Sequence, residues 1–113
     1  MSNDLTMNSG DTKIITVIVK DADGILDISN ATVKWQMAKQ INSTPVVQKS
    51  TGAGITLTDP VNGVFEILLE PADTDGLGGK LWYHEGEIKL VDGTTSTIIS
   101  GQINMLKTLI RST

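Results

Sequence analysis

The chain has no cysteine, a single histidine, and only four aromatic residues: Trp35, Phe65, Trp82 and Tyr83. Without cysteine there is no disulfide framework, zinc ribbon or thiol nucleophile. Its longest apolar runs, Val17-Ile18-Val19 and Ile67-Leu68-Leu69, fall far short of the roughly 20 residues that a membrane helix needs. The nine Lys and Arg residues are scattered, the net charge is −4 and the pI is about 4.7, so the basic stripe that offsets phosphate repulsion is missing and nucleic acid is excluded as a partner. Met1 to Ser9 is polar and carries Asp4 where a secretory signal would carry positive charge and then an apolar stretch, which predicts synthesis in the cytosol. At 113 residues the chain is sized for one domain with a core of its own.

What is present is strand-and-turn punctuation. Ile15, Val17 and Val19 share one face at the two-residue period of a strand, while Ile14, Thr16 and Ile18 make the other face unusually apolar. That strand, about Thr12 to Lys20, is therefore expected to be covered on both sides or closely paired. Ala31 to Ala38 alternates cleanly, with Val33, Trp35 and Met37 inward, as in an antiparallel sheet with one wet face. Pro45 to Lys49 reads as an edge strand because Pro45 cannot donate a ladder bond. Ile55 to Thr58 and Val64 to Glu70 flank Asp59-Pro60-Val61-Asn62-Gly63, where Asn-Gly predicts a tight hairpin turn. Pro71 to Asp75 reads as one helical turn, with Asp73 and Asp75 as caps. Leu81 to Val91 and Thr95 to Leu106 form the last hairpin around Asp92-Gly93, and Gly86 marks a bulge or a close crossing. About seven strands with turns mostly 8–12 residues apart predict an all-β antiparallel sandwich. The expected divisions are a polar arm over 1–10, the sandwich over 11–106 and a tail over 107–113.

No constellation of residues announces catalysis. His84 falls in core register with Trp82 and Ile88, with no base–nucleophile pair around it, so it reads as a packed histidine. Asp21-x-Asp23-Gly24, with Asp27 nearby, looks like part of a calcium loop, but its Gly comes too early and its flanks are strands; turn-making aspartates are the better reading. Glu85 and Glu87 share a solvated outer face rather than straddling a sugar cleft at the about 5–9.5 Å that glycoside hydrolysis requires. Catalytic residues, metal ligands and cofactors are all expected to be absent. The tail is the odd segment: Leu106 and Ile110 lie on one face of an extended chain and Leu109 on the other, before Arg111. Leu106, Leu109, Ile110 and Arg111 are thus the candidate partner-binding residues, through strand addition or a packed patch.

In order, Gly10-Asp11-Thr12, Val17-x-Val19-x-Asp21-x-Asp23-Gly24, Ile28-Ser29-Asn30-Ala31-Thr32-Val33, Gly54-Ile55-x-Leu57, Asn62-Gly63-Val64-Phe65, Leu69-x-Pro71-Ala72-Asp73-Thr74, Ile88-x-Leu90-x-Asp92-Gly93 and Gly101-x-Ile103 resemble the small immunoglobulin-like β-sandwich proteins of tailed bacteriophages and prophages, including the N-terminal domain of baseplate upper proteins. The likeness spans about Gly10 to Met105. It implies an immunoglobulin-like fold and a non-enzymatic structural role in a virion, near the tail, baseplate or head. The implied partners are other virion proteins, with copies in a symmetric homo-oligomer and neither nucleic acid nor membrane involved. A carbohydrate-binding accessory module on a virion or cell surface is the alternative, and it predicts an exposed aromatic with polar neighbours.

Overall fold

The computed structural model describes residues 4–107. They form an all-β protein of ten strands with one short α-helix and one 3-10 turn. The strands are β1 (Leu5–Asn8), β2 (Lys13–Ile18), β3 (Lys20–Asp21), β4 (Gly24–Ile25), β5 (Thr32–Ala38), β6 (Val47–Thr51), β7 (Gly54–Asp59), β8 (Val64–Leu69), β9 (Lys80–Lys89) and β10 (Thr95–Leu106); the helix is α1 (Pro71–Thr74). Eight strands make one large, mostly antiparallel sheet in the order β1-β10-β9-β5-β6-β7-β8-β2, and β3 and β4 make a separate two-stranded ribbon. The seven expected strands all occur, as β2 and β5 to β10. The three additional ones are short.

The alternation of side chains accounts for the core. Val33, Trp35 and Met37 of β5, Phe65, Ile67 and Leu69 of β8, and Ile103 and Met105 of β10 are fully buried. Ile15 of β2, at one end of the sheet order, and Met7 of β1, at the other, belong to the same cluster. A flat sheet of eight strands would hold these ends far apart, so the sheet curls over a shared interior. β6 and β7 pair over only two residues, Ser50 with Gly54 and Thr51 with Ile55. Among the described residues no pairing joins β2 to β10 or β1.

Three readings are sharpened or corrected. First, part of the segment read as a polar arm joins the sheet. Leu5 to Asn8 run parallel to Ile103 to Leu106, Met7 is buried, and the Gly10 amide donates to Thr74 Oγ1 at 2.9 Å. Second, β6 is an interior strand of the sheet. Pro45 precedes it, so its missing N–H removes no ladder bond. Third, the β7–β8 connection is not a two-residue Asn-Gly turn. Pro60 presets a helical φ, a 3-10 turn runs over Pro60–Asn62, and Gly63 alone takes a left-handed φ of 74°. A Cβ at Gly63 would lie 2.7 Å from the carbonyl oxygens of Leu26 and Val19, which is why glycine is needed there.

The remaining turns follow the sequence. Gly93 has a φ of 92°, and the Asp92 carboxylate accepts the Thr94 amide at 2.8 Å. Opposite Gly86, β10 shifts register between Thr97 and Ile99. A Cβ on Gly86 would sit 2.7 Å from Ile99 Cγ1. The glycine therefore lets the bulged strand close onto β9. Helix α1 is tied down by Asp73, whose carboxylate accepts the Glu70 amide at 2.7 Å and pairs with Lys49 Nζ at 2.8 Å. Asp75 sits at the helix C-terminal end, so of the two expected caps only Asp73 serves the N-terminus.

Candidate functional site

His84 is the first candidate to place. Strand β9 turns it inward, where it is 4% exposed. Trp35 Nε1 donates to His84 Nδ1 at 3.0 Å, and the two rings meet at a tilt of 50° with centroids 5.8 Å apart. Trp35 pairs directly with Gly86 and His84 with Met37, so the Trp–His contact is the diagonal one on the inner face. Nδ1 is thus the accepting nitrogen of this contact, and the indole N–H is the donor. The expected packed histidine thus has a polar partner that its own segment gives no sign of, because 49 positions separate the two residues.

The aspartates spend their oxygens on turns. Asp21 Oδ1 accepts the Asp23 amide at 2.8 Å, and Asp27 Oδ1 accepts both the amide and the hydroxyl of Ser29, at 2.9 and 2.6 Å. The Ser29 hydroxyl, and then its amide, hold the Asp27 carboxyl below the ordinary aspartate range. Asp92 is lowered likewise, first by the Thr94 amide and then by its hydroxyl. Among the described residues no group of three or more His, Asp or Glu is placed to hold a metal ion.

Of the candidate partner-binding residues, Leu109, Ile110 and Arg111 lie outside the described residues. Leu106 is the last residue of β10. Its carbonyl accepts the Ser9 amide at 2.9 Å, while its side chain is 41% exposed. Its backbone therefore belongs to the sheet and its side chain to the surface.

A second surface stands out at the β2 end of the sheet. The outer face of β2 carries Ile14 and Ile18, 55% and 54% exposed, around Thr16. Across the ladder Ile14 faces Leu68, Thr16 faces Glu66 and Ile18 faces Val64, so β8 continues the apolar face. The expected cover over this side of β2 is not supplied by the described chain. The free edge can be assigned atom by atom. The Val19 amide bonds the Gly63 carbonyl at 2.8 Å, in register with the Lys13, Ile15 and Val17 pairs, so the odd-numbered backbone groups point to β8. The N–H and C=O groups of Ile14, Thr16 and Ile18 point the other way. There the edge borders a groove of ≈ 960 Å³, whose far wall is Ser96 to Ser100 of β10. Edge strands of lone proteins are commonly guarded by charge, proline or a bulge; between Ile14 and Ile18 there is none of these.

Neither the models of known protein families nor the curated proteins give a match to this chain.

Proposed function

We propose that this protein is a non-enzymatic structural component of a bacteriophage virion, an adaptor or decoration protein of the tail, baseplate or head that acts by association with other virion proteins. The reading takes the fold as an immunoglobulin-like sandwich, with β1-β10-β9-β5-β6 in one layer facing β7-β8-β2 in the other. The brief β6–β7 pairing and the single shared core support that division. The ordered strand-and-turn phrases from Gly10 to Met105 support the phage assignment.

The observation that carries association is the free edge of β2 beneath an apolar outer face. Ile14 and Ile18 cost free energy in water and contribute nothing to this chain's own core. An incoming strand would satisfy the amides of Ile14, Thr16 and Ile18 and cover both side chains at once. Together with the exposed Leu106 side chain and the apolar residues of 108–113, this gives material for an interface of the usual size, about 1,200–2,000 Å² in total. Copies form a symmetric set within the assembly, which is made in the bacterial cytoplasm.

The test is direct. Antibody raised to the purified chain should decorate particles isolated from a culture of the encoding bacterium after prophage induction. Label found in the cells and never on particles contradicts the proposal.

A further inference from the structure

A second groove, of ≈ 720 Å³, lies on the outer face of β5, β9 and β10 and adjoins the groove at the β2 edge, with which it shares Asp4, His84 and Ser100. Cross-strand register builds it. Tyr83 stands between Ala38 and Gln102, and Glu85 between Gln36 and Ser100. The loop after β5 forms a wall: the Ser43 amide closes a turn onto the Gln40 carbonyl at 3.1 Å, and Asn42 takes a left-handed φ of 71°. Tyr83 is half-buried, and Ala38 beside it is too small to cover the ring.

The chemistry of the lining is selective. Gln36, Gln40, Asn42 and Gln102 contribute four carboxamides and Glu85 a carboxylate, and none of these side chains hydrogen-bonds another described residue. Each is a planar group with two polar atoms at fixed spacing, which suits a pair of adjacent hydroxyls. Among the described residues no lysine or arginine lines the groove, whereas Asp4 and Glu85 do. Negative ligands are therefore repelled. An aromatic face offers a flat apolar platform, and the polar groups around it set orientation.

We propose that this groove binds a neutral saccharide. The C–H face of one sugar ring lies on Tyr83, and its hydroxyls are held by Gln36, Glu85 and Gln102, with Gln40 and Asn42 contacting the next unit. The site is independent of the assembly role: none of these six side chains lines the groove at the β2 edge, and sugar binding needs no second protein.

The experiment is a nuclear magnetic resonance titration of the isotope-labelled full chain with maltohexaose, cellohexaose, chitohexaose and mannohexaose, and with sialyllactose as the anionic control. At least one neutral hexasaccharide should shift the Tyr83, Glu85 and Gln102 amides and saturate at a Kd of about 1 mM or tighter. Tyr83→Ala should weaken that binding by about tenfold or more and Tyr83→Phe should preserve it, the tenfold loss being the size of one well-made contact. If Tyr83→Ala does not fold, the exposed Gln36→Ala and the half-buried Gln102→Ala carry the same test, each expected to weaken binding severalfold. No shift with any neutral sugar, shifts that map outside the groove, stronger binding of sialyllactose, or variants that bind as the parent does would each overturn the proposal.

Discussion

The middle of the sheet and its β2 end have the same inside and opposite outsides. Inward, β5 offers Val33, Trp35 and Met37 and β8 offers Phe65, Ile67 and Leu69, all fully buried. Outward, β5 and β9 present Thr32, Lys34, Gln36, Glu85 and Glu87 to water. At the β2 end the outward positions are Ile14, Ile18, Val64 and Leu68, relieved only by Thr16 and Glu66. Folding needs just the inner alternation, which both regions satisfy. The apolar outer face at β2 is therefore more than the fold requires, and the proposed association would account for it.

The comparison can be broken from the inside first. If the two inner faces are equivalent, Trp35→Ala in the middle and Phe65→Ala near the edge should each lower unfolding free energy by about 3–5 kcal/mol in urea denaturation. A Phe65→Ala cost near zero would mean that the β8–β2 end is not part of the cooperative core. Next is Gly86→Ala. The new methyl meets Ile99 at the bulge, and about 1–3 kcal/mol of overpacking is expected, with the β9–β10 amides losing exchange protection. The outer faces come third. Replacing Ile14 and Ile18 together by lysine should change the unfolding free energy of the isolated chain by no more than about 1 kcal/mol, yet abolish its incorporation into particles. Lys34→Ala, on the wet face of β5, should leave both properties unchanged.

The smallest effect sits at the tip of the β9–β10 hairpin. Because the Asp92 carboxyl is lowered by the Thr94 amide and hydroxyl, its charged form favours the folded state. That contribution is present above the ordinary aspartate range and is lost as pH falls through the lowered folded value. Asp92→Asn should therefore lower stability slightly at neutral pH and converge with the parent as pH falls through that range, which flattens the acid limb. An Asp92→Asn curve that overlays the parent through the acid limb would show that the Thr94 bonds do not carry through to stability.

Much of this architecture was legible in the alternation of residues. Val33, Trp35 and Met37, like Phe65, Ile67 and Leu69, declare their inner face because one buried face forces a period of two. Gly86 and Asp92-Gly93 declared a crossing and a turn. What escaped was non-local. Leu5-Thr6-Met7-Asn8 is too short to show a period, and its partner is the last strand, 98 positions away at Leu5 and Ile103. The Asn62-Gly63 signal was overridden by Pro60 two residues earlier. The candidate surfaces were harder still. The apolar outer side of β2 was visible, but not that it would remain uncovered. Adjacency to Trp82 puts Tyr83 on the opposite face of β9, yet its groove is assembled from three strands and a loop, and only register brings Gln36, Glu85 and Gln102 around it.

Hydrogen exchange at β2 tests the central idea most directly. In the isolated chain the amides of Ile14, Thr16 and Ile18 should exchange much faster than those of Ile15, Val17 and Val19, whose partners lie in β8. In assembled particles the two sets should become equally slow, because a strand from a neighbour has filled the open edge. If the three even-numbered amides exchange as fast in the particle as in the free chain, the β2 edge is not where this protein meets its partners.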